Sequence, residues 1–234
     1  MFQQRDSNAI NEEELEKTIA EIRSEIDHFK TDSTFLQVLE QRIFYLSSRS
    51  GRRNLPLVVL VHDQINNSSI WSENDTLRTL SSNDFNFVAL DLPGHGQSTG
   101  PSLENAEKSE SFAQFLQIIC SEFGQENIVV CGASMAGQYI VPLLNLPAVR
   151  GVNIKGLIAI ALSDAEALNL SKPLPKTLLV RGELDTSLGP NSAAVFKRFE
   201  NCDEKIIENG RHFCHLGSTA VEFNRLLINF LKDL

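Results

Sequence analysis

A chain of 234 residues, 42% hydrophobic and 22% charged, is long enough to fill one α/β core and has the composition of an ordinary globular protein. Its net charge of −9 disfavours nucleic acid or an anionic membrane surface as a partner, and the polar start Met1-Phe2-Gln3-Gln4-Arg5-Asp6, with no long apolar run after it, gives neither a signal-peptide pattern nor a membrane span. The four cysteines (Cys120, Cys131, Cys202, Cys214) have no metal-ligand or disulfide spacing, which points to reduced thiols in the cytoplasm, with the nucleus as a further compartment.

The first 33 residues read as an acidic helical extension, and 34–234 as the main domain. Nine acids against four bases leave −5 in this arm, more than half of the total charge. Leu15, Ile19, Ile22, Ile26 and Phe29 recur in alternating steps of four and three, an amphipathic stripe, and Asn11 before three glutamates is a fair N-cap. The stripe is too short to argue for a coiled coil alone. It suits a helix folded onto its own domain, or a helix that docks a protein partner.

Residues 35–48 predict two short strands around Glu40-Gln41, followed by a polar turn at 50–54. The unbroken apolar run 57–61 suits a strand buried on both faces of a parallel sheet, and it ends in His62-Asp63-Gln64. A strand at 87–90 leads into Asp91-Leu92-Pro93-Gly94-His95-Gly96-Gln97-Ser98, where the histidine and glycines shape a turn. A helical pattern follows over 112–123.

The strand at 128–131 then breaks at Gly132-Ala133-Ser134-Met135-Ala136-Gly137, before an apolar segment that continues to Leu144. Strand, sharp turn, helix with a serine at the apex is the pattern of a nucleophile elbow, in which the positions two before and two after the serine must be small. Gly132 and Ala136 meet that need, although glycine is usual at the second. Further strands are predicted at 157–161, 177–180 and 205–207, a helix from Pro190 as its first residue toward Phe199, and a last helix from about Thr219. Strands alternating with helices predict a doubly wound, mostly parallel sheet of about eight strands, with its site at the carboxyl ends of the strands.

The strand ending in His62, the loop at 91–98, the serine elbow, Asp185 after the penultimate strand and Gly210-Arg211-His212 late in the chain resemble, in that order, the α/β-hydrolase superfamily. Within it the chain is most similar to the small α/β-hydrolase domain-containing protein 14 group. The residues that carry this are the 62–71 loop, Leu90-Asp91-Leu92-Pro93-Gly94, Ser134-Met135-Ala136-Gly137 with Leu143-Leu144, and His212-Phe213-Cys214. The resemblance implies a serine hydrolase of simple esters, and links the group to removal of acetyl groups from protein lysines with coenzyme A as acceptor; no metal or redox cofactor is implied.

In this reading Ser134 is the nucleophile, His212 the base and Asp185 the residue that orients it, with His215 and Asp164 as the nearest competitors for the last two roles. The backbone N–H groups of Gln64 and Met135 form the oxyanion hole. Asp63 stands where the superfamily usually has glycine, so its carboxylate is expected to turn away from the developing oxyanion. Cys131 and Cys214 read as packing residues. Only about a dozen residues separate the strands near Asp164 and Thr177, too few for a lid domain, which favours short acyl groups or an acyl group on a protruding partner over long-chain lipids. The alternative from another class is a non-catalytic hydrolase-fold interaction module, docking through the acidic helix.

Overall fold

The computed structural model describes residues 30–49 and 51–234, together with Lys17. The chain falls into two units, Met1–Thr31 and Asp32–Leu234, and the second carries the sheet. The stripe residues Leu15, Ile19, Ile22, Ile26 and Phe29 of the predicted amphipathic helix lie outside the described residues. Among the described residues no helix is long and apolar enough to cross a membrane.

Eight strands form one sheet in the order β1-β2-β4-β3-β5-β6-β7-β8. The hairpin β1 (Asp32–Val38) and β2 (Gln41–Ser48) is antiparallel, and β2 pairs antiparallel with β4 (Phe87–Leu90). From β4 onward, through β3 (Leu57–Val61), β5 (Asn127–Ala133), β6 (Asn153–Ile160), β7 (Lys176–Gly182) and β8 (Cys202–Ile207), every pairing is parallel. β1 begins three residues ahead of the strand start expected at Phe35, because Asp32 and Ser33 already pair with Ser47 and Leu46.

The continuous apolar runs are explained by burial on both faces. In β3, Leu57, Val59 and Val61 join one core cluster, while Val58 and Leu60, equally buried, point to the opposite face. The first face is covered by α3 (Asn105–Phe123), α4 (Gly137–Asn145) and α5 (Leu188–Phe196). α2 (Thr76–Ser82) packs against α6 (Ala220–Lys232), preceded by the single turn α1 (Ile70–Glu73).

Two helical expectations need correction. α3 starts seven residues before Phe112, at a reciprocal Glu104/Glu107 capping box; its first residues are polar and mostly exposed, so apolar periodicity begins only later. Pro190 is the third residue of α5, not the first, which is tolerated because N–H groups in a first turn have no intrahelical acceptor. The short α1 and α2 carry too few turns to register as a periodic pattern. Between β6 and β7, residues 161–175 hold only a 3₁₀ turn at Ala165–Ala167, and no lid covers the site.

Candidate active site

Parallel strands put their carboxyl ends on one edge, and the loops leaving those ends are joined to one another there. After β3 and β4, the buried Asp91 carboxylate accepts the N–H groups of Ser68 (2.7 Å) and Gln97 (2.7 Å). The His62 Nε2 accepts the N–H of Leu92, and its Nδ1 donates to the carbonyl of Asp63 at 2.6 Å. Both ring nitrogens are therefore engaged, and burial lowers the His62 pKa. His62 is a buried neutral strut between two loops.

At the end of β5 the backbone turns through Ser134, whose φ of 49° is a left-handed value that few side chains adopt without compensation. The compensation is close packing. A Cβ on Gly132 would lie 2.9 Å from the Cβ of Ala136, so alanine fits at the second small position because the first carries no side chain. The position that admits only glycine is 137, where a Cβ would fall 2.1 Å from the Ser163 carbonyl oxygen. That approach lets the Ser163 N–H donate to the Ser134 carbonyl at 2.9 Å, which ties the elbow to the loop after β6.

The loops after β7 and β8 are joined in the same way. A Cβ on Gly182 would stand 2.3 Å from the carbonyl oxygens of Gly210 and Arg211, and the Leu184 N–H donates to the Gly210 carbonyl at 2.8 Å. The loop carrying His212 is thereby laid over the end of β7. The sequence reading missed these packing glycines, although glycines at 182 and 210, at the end of one strand and just after another, were a usable signal.

The result is a continuous hydrogen-bonded line. The His212 Nε2 lies 2.9 Å from the Ser134 Oγ, and its Nδ1 lies 2.9 Å from the Asp185 Oδ2. Asp185 also accepts the N–H and hydroxyl of Ser187 on Oδ1 and the N–H of Gly189 on Oδ2, at the start of α5. Burial raises its pKa, but the hydrogen bonds from His212, Ser187 and Gly189 outweigh that and lower it overall, so the carboxylate is ionised at neutral pH. An acceptor-only carboxylate takes the Nδ1–H, leaving Nε2 free to accept the serine proton. The Asp185 side chain is 1% exposed and that of His212 is 29% exposed, so the acid is shielded while the imidazole is open to a substrate.

The competitors are placed elsewhere. Asp164 is exposed and starts the 3₁₀ turn after β6. His215 is fully buried between the rings of Trp71 (5.2 Å) and Phe223 (5.8 Å). The Asp63 carboxylate, also fully buried, accepts the N–H groups of Ile65 and Asn66 on Oδ1 and the Asn66 side-chain amide on both oxygens. It thus folds back on its own loop beside Gln64, which is exposed, while Met135 opens the turn after Ser134. Burial pushes the Cys131 thiol up and the Cys214 thiol to about 12, as for packing residues. Among the described residues no group of three metal-ligating side chains converges.

Burial draws the His215 pKa down to about 4; the Asp63 charge opposes this and His212 adds to it. In the unfolded chain the imidazole takes up a proton near pH 6.5, in the folded chain only near 4, so unfolding binds a proton between those values. Stability is complete above about pH 6.5 and falls by roughly 3 kcal/mol as the pH drops toward 4. Asp185, lowered from 3.8, adds its own loss only at more acid pH. Urea unfolding measured across pH 4–7 is expected to show this slope, and His215→Phe to reduce it.

Known proteins share the fold of this chain. Residues 56–141 match the family described as the alpha/beta hydrolase fold. Protein ABHD14A of Danio rerio is 31% identical over 193 residues, which cover 79% of this chain and 68% of that protein. The chain belongs to the α/β-hydrolase family, in its ABHD14 group. ABHD14B of Rattus norvegicus, named as a candidate protein-lysine deacylase, is 26% identical over 201 residues, covering 85% of this chain and 95% of the relative. A CIB-like hydrolase from Thermoplasma acidophilum superposes with a TM-score of 0.71 at 25% identity, over 88% of this chain and 99% of that one. Human ABHD14A is 31% identical, and the match spans 64% of its length.

Proposed function

We propose that this member of the ABHD14 group is a serine hydrolase that transfers short acyl groups from esters, thioesters or amides through an acyl-enzyme on Ser134. The observation that carries the reading is the line Ser134–His212–Asp185, with 2.9 Å at each step. Ser134 Oγ forms a bond to the acyl carbon as its proton passes to His212 Nε2, and the carbonyl oxygen takes up the negative charge. The N–H groups of Gln64 and Met135 hold that oxyanion, with the Asp63 carboxylate turned onto Ile65 and Asn66. The tetrahedral species collapses, the bond to the leaving atom breaks, and His212 gives its proton to that atom. Water then attacks the acyl-enzyme with His212 again as base, which frees the acid and restores Ser134. Throughout, Asp185 holds the imidazole in one tautomer and balances its charge when protonated.

A second reading keeps the same residues and changes the substrate. The relative named as a candidate protein-lysine deacylase, together with the short 161–175 connection that leaves the site without a lid, favours an acyl group carried on a protruding lysine. Coenzyme A is the acceptor proposed for that case. The non-catalytic module is disfavoured by the complete line of three side chains.

A fluorophosphonate probe, which loses fluoride as it phosphonylates an activated serine, tests the reading. Native protein is expected to label and Ser134→Ala is not. Absence of Ser134-dependent labelling in well-folded protein would return the chain to the interaction-module reading.

A further inference from the structure

One buried cation stands beside the elbow with no role in the acyl-transfer steps. Lys108 is only 9% exposed. Its ammonium donates to the side-chain oxygens of Asn105 (2.8 Å) and Gln138 (2.6 Å), and lies 5.6 Å from the centroid of the Tyr139 ring. All three contacts are neutral. Among the described residues no carboxylate lies within ion-pair distance of it, although acids outnumber bases by nine in the whole chain. Nearby Glu107 is turned to the Glu104 N–H in the cap of α3. A buried ammonium is costly to hold on neutral oxygens alone, and an anion completes such a site.

Topology places this charge at the carboxyl edge of the sheet, the edge that carries the elbow. β4 and β5 are both parallel to β3, so α3, which connects them, runs antiparallel to the strands and begins at their carboxyl edge. Lys108 is in its first turn. Gln138, which holds the ammonium, is four residues after Ser134 in the first turn of α4. The charge therefore stands about one helical turn from the nucleophile, roughly 5 Å along the axis plus the reach of a glutamine side chain.

Resting on the acyl-transfer reading, we infer that Lys108 is a specificity-determining residue that receives the free carboxylate at the far end of a short dicarboxylic acyl group, of the glutaryl type. A chain of about four to six carbons spans the separation between an acyl carbon on Ser134 and a carboxylate on the ammonium, a distance set by one helical turn and the reach of the Gln138 side chain. The carboxylate makes and breaks no bond. It joins or displaces one amide oxygen at Lys108 in a charge-assisted contact that neutral acyl chains of equal length cannot make. The same placement explains how a chain with a net negative charge attracts an anionic substrate to one point.

The test pairs aryl esters of equal chain length, glutaryl against pentanoyl. For the native protein kcat/KM is expected to favour the glutaryl ester by tenfold or more; Lys108→Met brings the ratio to one or below, and Lys108→Arg retains most of it. A purely structural lysine linking α3 to α4 would lower both rates together in Lys108→Met and leave the ratio where it was, which overturns the inference, as does a native ratio of one or less. Calorimetric binding of the two esters to Ser134→Ala separates this from the catalytic reading, because it needs no turnover. Glutaryl binding at least fivefold tighter, lost on adding Lys108→Met, supports the site even if the serine proves unreactive. Equal binding of the two esters overturns it even if the serine labels.

Discussion

Replacing His212 with alanine is expected to lower kcat for a short acyl ester by about 10⁴- to 10⁶-fold, with KM changed far less. An unassisted serine hydroxyl holds its proton at neutral pH, and in this protein the group within hydrogen-bond distance to take it is the His212 Nε2, at 2.9 Å. The side chain is partly exposed on a loop whose path is set by backbone contacts of Gly182, Gly210 and Leu184, so its removal leaves the loop in place. The melting temperature is therefore expected to stay within a few degrees of the native value while turnover collapses. Turnover within tenfold of native would show that another group, and not this imidazole, takes the serine proton. Imidazole added to the buffer is expected to restore part of the rate, because the variant leaves a space of the right shape beside Ser134.

Asp185→Asn is expected to cost about 10⁴-fold in kcat through a change of tautomer, with the fold retained. The native carboxylate only accepts: Oδ1 faces the N–H of Ser187, and Oδ2 faces both the N–H of Gly189 and the Nδ1 of His212. An amide cannot satisfy all of them. With its oxygen toward Ser187, its NH₂ meets the Gly189 N–H and donates to Nδ1; the imidazole proton moves to Nε2, which then faces Ser134 as a donor and cannot take the serine proton. With the amide flipped, the NH₂ meets the Ser187 N–H, and a buried donor goes without an acceptor. Stability is expected to fall by about 1–3 kcal/mol on that account. The informative pattern is a large loss of kcat with a modest loss in urea unfolding free energy. A variant retaining more than a tenth of native kcat would show that orientation by Asp185 is not required.

Much of the sheet was legible because burial on both faces leaves no choice of residue. The run at 57–61 could be read as a buried strand because a parallel strand between two helical layers must be apolar at every position. The elbow was legible for a related reason, since a strand that turns sharply into a helix needs small residues at fixed offsets from its apex. Helix starts were less visible, because the first turn of α3 is built from Glu104, Asn105 and Glu107, whose job is capping and not burial. The requirement for glycine fell at 137 and not at 136, since it is set by the Ser163 carbonyl, a neighbour 26 positions away in sequence.

The order of serine, acid and histidine along the chain, and the residue types available at the ends of the strands, were determined by the sequence alone. It left two histidines three residues apart and two aspartates after successive strands. Tertiary structure decided between them. Gly182 lets the loop after β8 settle backbone to backbone on the end of β7, which turns His212 outward to Ser134 and sends His215 inward against Trp71 and Phe223. It also decided that Asp185, held by the first turn of α5, faces the imidazole while Asp164 faces solvent. Local pattern fixes where a side chain leaves the backbone; the angle at which it meets another depends on contacts between loops that are neighbours only once the sheet has formed.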